Sequence, residues 1–314
     1  MRIEKPAVTG IQHVGIGVRD IEASRAFYRD VLRCTQRMAD FGLTHNAMPD
    51  FFRASAHVFN AWMYGQEQDA IVVECVQRFE PLPRPIRKQN LYGDIGVNKI
   101  TVEVSDAAAF RAAYAERIRF LCEPKTARIP GWGDYSFVYG TDPDGNLIEF
   151  ASCPQWEVPE NPGRIRSLGI GVTDLDRSME FYTRHLGFDQ VVIAPHESFS
   201  GLLGEISGSP STQVRSCLLG SSNGFHLLEL IEVSKPRGRS IPFNALWGDY
   251  GYLEGCCLCL DVLGMARYLM KEEIDLLSYP TAVDVHEAGL EGTGWFLYAK
   301  DPDGIPVELL ELPG

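Results

Sequence analysis

The sequence predicts an α+β fold built from four β-α-β-β-β modules, two in each half of the chain. Three observations lead there. His13-Val14-Gly15-Ile16-Gly17-Val18 returns as Ser167-Leu168-Gly169-Ile170-Gly171-Val172, and Phe27-Tyr28 as Phe181-Tyr182, at one offset of 154 residues. Asp142-Pro143-Asp144-Gly145 returns as Asp301-Pro302-Asp303-Gly304, and Leu91-Tyr92-Gly93-Asp94 as Leu246-Trp247-Gly248-Asp249. Each half also divides: the alternating stretch 99–104 precedes a helical run over 107–114, and 257–262 precedes another over 265–269. The modules fall at about 10–80, 95–153, 165–233 and 254–313.

In the first strand, Val14, Ile16 and Val18 alternate with His13, Gly15 and Gly17. One face therefore packs, and the other presents an imidazole beside two residues without side chains, as the floor of a cavity would. Asp20 and Asp174 stand at helix N-caps, with Ile21, Phe27, Val31 and Leu175, Phe181, Leu186 behind them as apolar stripes. Over 71–76, Ile71, Val73 and Cys75 face one way, while Glu74 shares the other side with Val72 and Val76. A carboxylate among valines is costly unless it is paired or bound to a cation. Over 99–104, Ile100, Val102 and Val104 pack, which turns Lys99, Thr101 and Glu103 to the other side. Glu149 stands likewise between the packing residues Ile148 and Phe150. Both DPDG segments fit type I turns that lead into the last strand of each half.

The basic, Pro-rich segments 81–88 and 235–239 read as solvated connectors. Residues 154–163, with Pro154, Pro159 and Pro162, read as a linker between domains 1–153 and 164–314. Of the 8 cysteines, Cys256, Cys257 and Cys259 form the one cluster, too few for a disulfide scaffold. With Leu258 and Leu260 on a core face, Cys257 and Cys259 would share the opposite one.

At 314 residues the chain can bury two full cores, and 45% hydrophobic with 23% charged residues is a globular balance. A net charge of −13 opposes nucleic acid and anionic membrane as partners. No apolar run approaches the ~18 residues of a membrane span, and the N-terminus lacks a signal-peptide core. A cytoplasmic location is the expectation. The expected partner is a small-molecule substrate, with a second copy of the chain, as a homodimer, the assembly considered.

The paired modules, HVGIGV with its following FYRDVL, and DPDGNLIEF resemble the vicinal oxygen chelate superfamily of glyoxalases, epimerases, extradiol dioxygenases and drug-resistance proteins. The resemblance covers nearly the whole chain and specifies fold better than reaction. It implies two half-open β-barrels with helices outside, each pair of modules enclosing a site for one divalent metal. On that pattern His13 falls on the first-strand ligand, Glu74 on the fourth-strand glutamate and Glu149 on the last-strand ligand. The remaining slot is Lys99, a poor ligand while protonated, and so a proton-transfer group or a cation standing in for metal. In the second half the slots hold Ser167, Glu229, Glu308 and either Gly255 or Cys257, which implies a metal-free cavity. A Cys257, Glu229 and Glu308 zinc set is the minor alternative there.

The Pro-rich 154–163 segment favours consecutive pairing of modules, grouping His13, Glu74, Lys99 and Glu149. Swapped pairing of the first module with the fourth would group His13, Glu74, Cys257 and Glu308. The expected site thus has His13, Glu74 and Glu149 on one ion (Zn, Mn, Fe, Co or Ni), with Glu74, Lys99 and Glu149 as catalytic groups. The implied activity is that of a metal-dependent lyase or isomerase, using Lewis-acid and glutamate-base catalysis on a carbonyl or vicinal-oxygen substrate. The alternatives are an iron(II) extradiol dioxygenase, or a non-catalytic binding protein that uses Trp62, Trp132, Trp247 and Trp295.

Overall fold

The computed structural model describes residues 4–45, 57–67, 70–158, 161–224, 226–286 and 289–313. The first module comprises β1 (Val8–Gly17), a helix (Ile21–Asp30), β2 (Gln36–His45), β3 (Val58–Gly65) and β4 (Val72–Glu80). The second comprises β5 (Gly96–Glu103), a helix (Ala107–Tyr114), β6 (Arg119–Phe120), β7 (Lys125–Ile129), β8 (Gly133–Thr141) and β9 (Leu147–Ser152). The third has β10 (Ile165–Val172), a helix (Leu175–Arg184), β11 (Gln190–His196), a short helix (Gly204–Ser207), β12 (Gln213–Gly220) and β13 (Leu227–Lys235). The fourth has β14 (Gly251–Cys259), a helix (Val262–Lys271), β15 (Thr281–Asp284), β16 (Thr293–Lys300) and β17 (Pro306–Glu311).

Local signals act as the sequence suggests. Asp20 accepts from the backbone N–H groups of Glu22 and Ala23, and Asp174 from that of Arg177. Asp106 and Asp261 cap the other two long helices in the same way. Both DPDG turns close, Gly145 N–H donating to the Asp142 carbonyl at 3.2 Å and Gly304 N–H to that of Asp301 at 2.9 Å.

The modules do not pair consecutively. One sheet runs β15-β16-β17-β14-β1-β4-β3-β2 and unites the first module with the fourth. The other runs β11-β12-β13-β10-β5-β9-β8-β6, with β7 on β8, and unites the second with the third. The expected domain boundary at 154–163 therefore joins β9 to β10 inside one sheet, Pro159 lying outside the described residues. Proline removes a donor and fixes φ in any loop, so its density marks irregular backbone and does not distinguish a linker from an internal connection. Gln66 of the first module donates to the Gly163 carbonyl and accepts from Ile165 N–H, which ties this loop to the opposite sheet.

The segments that cross between sheets are also less solvated than expected. Ile86 is buried, and Arg87 lies 3.5 Å from the buried Asp94, which Arg239 grips through two of its nitrogens. By the same plan Arg78 pairs with the buried Asp249, which also accepts from Arg84 N–H. These LYGD and LWGD aspartates anchor the crossovers that make swapped pairing workable. One continuous apolar core, including Val14, Ile16, Ile100, Val102, Leu168, Ile170 and Cys257, runs through both sheets.

Each DPDG turn also bonds to the preceding module. Tyr28 donates to the Asp142 carboxylate at 3.0 Å, and Tyr182 to that of Asp301 at 3.2 Å. Burial pushes both carboxyls up to about 6, against the lowering effect of N–H donors from their own turns. An acid raised in this way keeps its proton longer when folded, so its contribution is full below about pH 4 and is lost as pH rises to about 6. Asp301→Asn removes that titration. Denaturant unfolding of wild type and variant at successive pH values should show the difference moving in the variant's favour from about pH 4 to 6, then flattening. Movement in the wild type's favour over that window would contradict the assignment.

Candidate metal and proton-transfer site

Strand register assembles the site in the first barrel. Parallel pairing sets Gly15 beside Glu74 and Cys256 beside Glu308, and antiparallel pairing sets His13 beside Cys256 and Gly15 beside Glu254. These residues occupy alternate positions on neighbouring strands, so their side chains meet on one face. His13 Nε2 lies 3.1 Å from Glu308 Oε2 and 3.6 Å from Glu74 Oε2. Its Nδ1 contacts the side-chain oxygen of Gln12. The floor under His13 is not bare: a Cβ on Gly15 would stand 2.0 Å from Glu254 Oε1, so glycine admits that carboxylate.

The cluster carries more negative charge than it can neutralise. Glu74, Glu254 and Glu308 surround a single imidazole, and all four residues are nearly withdrawn from solvent. Burial pushes the Glu74 carboxyl up to about 7, with His13 opposing the rise and Glu308 adding to it. Burial, then Glu74 and Glu308, raise Glu254 well above the ordinary carboxylate range. On His13 burial works against the charged form, but Glu308 and then Glu74 outweigh it and raise the imidazole's pKa. His13 Nε2 and Glu254 Oε1 are both buried without an aligned hydrogen bond. One ligand atom each from His13, Glu74 and Glu254 fall within 4.8 Å of one another, as do those of His13, Cys256 and Glu308. Buried donors converging among excess acids fit a divalent cation.

Glu254 escapes the sequence pattern, yet a signal for it exists. His13, Lys99, Ser167 and Glu254 each stand seven residues before the N-cap aspartate of their module, Asp20, Asp106, Asp174 and Asp261. Counting back from the cap names Glu254 as the slot expected at Gly255 or Cys257. The expected facing of this strand reverses for the same reason. Cys257 and Cys259 belong to the core, Leu258 lines a cavity, and Leu260 is 67% exposed. Glu229 lies in the other barrel, so the Cys257, Glu229 and Glu308 set is not assembled either.

Glu149 and Lys99 do not join His13. They face the second barrel, where Lys99 Nζ lies 2.5 Å from Glu149 Oε2, 2.6 Å from Glu229 Oε2 and 2.8 Å from Thr101 Oγ1. Tyr135 and Tyr139 donate to Glu149 at 3.1 and 2.9 Å. Burial disfavours the ammonium, but Glu149 and Glu229 outweigh it and raise the Lys99 pKa. Lys99 is thus a resident monocation between two acids, the second of its expected roles. Phe199 packs edge-on against Tyr135 and Phe137, leaving a void of about 20 Å³ bordered by Glu229 and Ser167. That space has room for about one water and none for a substrate.

The first barrel is open by contrast. A cavity of about 530 Å³ is lined by Trp247, Leu253, Glu254, Tyr298, Ile241 and Phe243 among others. A second, of about 480 Å³, reaches Val72 and Leu258, the next positions on the same strand faces as Glu74 and Cys256. The acid cluster lies between the two. Of the four tryptophans considered as a ligand sandwich, Trp247 alone lines the larger cavity, while Trp62 is core and Trp132 and Trp295 pack against it.

The sequence profile described as Glyoxalase/Bleomycin resistance protein/Dioxygenase superfamily matches residues 10–150 and 164–245. Glyoxalase I from Zea mays aligns over 97% of this chain and 92% of its own, at 16% identity and a TM-score of 0.61. A putative dioxygenase from Bacillus subtilis subsp. subtilis str. 168 aligns over 99% and 87%, at 13% identity and a TM-score of 0.57. At these identities the likeness is one of fold. No curated protein matches the sequence. No helix among the described residues is long and apolar enough to cross a membrane.

Removing the Lys99 ammonium leaves two buried carboxylates facing each other. Lys99→Met should lower unfolding free energy by roughly 3–5 kcal/mol, and adding Glu149→Gln with Glu229→Gln should restore most of it. Urea denaturation of the single and triple variants measures both. A single variant within about 0.5 kcal/mol of wild type would refute the ammonium's role.

Proposed function

Because the chain belongs to the glyoxalase/bleomycin resistance protein/dioxygenase superfamily, we propose that it is a divalent-metal-dependent lyase or isomerase acting on a small carbonyl or vicinal-oxygen substrate. The observation that carries this is the surplus of buried acid in the first barrel. The groups acting on Glu74 are His13 and Glu308, and those acting on Glu254 are Glu74, Glu308 and Trp247, with no lysine or arginine among them. The second barrel has the same plan and supplies its own cation.

His13 would hold the ion with Glu74 and Glu308, the two carboxylates that lie 3.6 and 3.1 Å from its Nε2, Glu308 taking the part expected of Glu149. One imidazole with carboxylates suits Zn, Mn, Fe, Co or Ni. When bound, such an ion polarises a substrate oxygen and acidifies the adjacent carbon. Glu254 is the proton carrier: its carboxyl borders both the ion's ligands and the larger cavity, and burial raises its proton affinity. It takes the proton from the carbon beside the carbonyl and returns it to the neighbouring position. Trp247, Leu253, Ile241 and Phe243 wall the cavity where the rest of the substrate sits.

The ring-cleaving alternative calls for two imidazoles and a carboxylate on iron(II). Among the described residues, the ligand slots of the first barrel hold one imidazole, that of His13, and the corresponding slots of the second hold Lys99 and Ser167. The donor set therefore favours proton transfer.

Metal titration followed by elemental analysis should find one divalent ion per chain, abolished by His13→Ala with Glu308→Gln and unchanged in Glu149→Gln. Affinity should rise with pH through about 7, because the ion displaces the proton held by Glu74. Loaded protein in D2O should exchange the α-hydrogen of an α-hydroxycarbonyl substrate, and Glu254→Gln should reduce this by 10²–10⁴-fold, roughly the worth of a general base. Retained stoichiometric metal in the double variant would overturn the site, and full exchange in Glu254→Gln would overturn the proton carrier.

A further inference from the structure

Resting on the metal reading above, we infer that Gln12 is a positioning residue that sets the His13 imidazole in its ligating form, through a bulge in β1. Ile11 pairs with Cys257 and His13 with Cys256, so two residues of β1 advance against one of β14 and Gln12 is the extra one. In a regular strand Gln12 and His13 would point to opposite faces. A bulge re-aims the side chain of its extra residue. Here the Gln12 side-chain oxygen comes to His13 Nδ1 on the side away from the acids.

The consequence is chemical. A neutral imidazole carries one proton, and an acceptor on Nδ1 holds it there. Nε2 is then a lone pair aimed at the carboxylates, with Glu308 at 3.1 Å and Glu74 at 3.6 Å. A ring nitrogen held that way receives a cation, and the hydrogen bond on the far nitrogen strengthens it as a donor. The opposite arrangement, with Nε2–H donating to Glu308, would leave His13 as a hydrogen-bonded residue unable to ligate.

The device belongs to the one module whose slot holds an imidazole. In the second module the preceding residue is Asn98, whose amide is engaged with Gly93 N–H and the Leu91 carbonyl and not with Lys99. In the third it is Arg166, paired with Glu103, and in the fourth Leu253, in the cavity wall.

The test combines tautomer and affinity. Nitrogen-15 NMR of the metal-free protein at alkaline pH, assigned with His13→Gln, should show His13 protonated at Nδ1 and bare at Nε2. Gln12→Leu should lose that preference and weaken binding of manganese(II) by 10–100-fold, the usual worth of such a partner. Gln12→Glu, which keeps an acceptor, should restore both, while unfolding midpoints of all three stay alike. A wild-type His13 protonated at Nε2, or a Gln12→Leu variant with unchanged tautomer, overturns the inference. If wild type binds no manganese(II), the metal reading fails alone, because the tautomer still decides whether Gln12 orients the ring.

Discussion

Buried negative charge has to be neutralised, and this chain meets that requirement twice on one plan. Each barrel brings two glutamates from parallel strands to face each other across a pair of central antiparallel strands. In the second barrel Lys99 reaches between them and packs across Gly169, whose missing Cβ leaves room for the lysine stem. In the first, the equivalent positions hold His13 and Glu254, which adds an acid where the other barrel adds a base. An imidazole cannot balance three carboxylates, whereas a dication offsets two of them. From that difference the proposed activity follows. One barrel is closed by its own ammonium and by Phe199, and the other is left open beside an unbalanced cluster.

Module pairing decides which residues share that fate. Were the halves of the chain separate, Lys99 would stand with His13 and compete with any ion for Glu74. Swapping sends the lysine to the opposite sheet and brings Glu254 and Glu308 in its place. The crossovers are held by Asp94 and Asp249, buried aspartates each gripped by arginine. The Arg78–Asp249 pair flanks the acid cluster in sequence, Arg78 following Glu74 by four residues and Asp249 preceding Glu254 by five, so the crossover fixes where both acids stand. Breaking a buried pair of this kind is strongly destabilising.

Much of this was legible in residues and some was not. Repeats, N-caps and DPDG turns are local signals, and each formed as its chemistry dictates. The alternation around Glu74 correctly set it apart from the packing face, and Lys99 could be recognised as a potential internal cation. Pairing is non-local, and the prolines of 154–163 signal only irregular backbone. Glu254 was obscured because Leu258 and Leu260 suggested a core face, whereas one lines a cavity and the other is exposed. The seven-residue count to Asp261 carries the register that apolar alternation misstates there. Gln12 could not be placed by period, because its orientation depends on a bulge against a strand more than 240 residues away.

The most direct measurement is an anomalous difference map from crystals of the full chain soaked in manganese(II), recorded at a wavelength where the ion scatters strongly. One peak per chain is expected, among His13, Glu74, Glu254 and Glu308, and none between Glu149 and Glu229. A peak beside Lys99, or density that shows His13 bonded only to its neighbours while the soaked ion sits elsewhere, would contradict the proposed site.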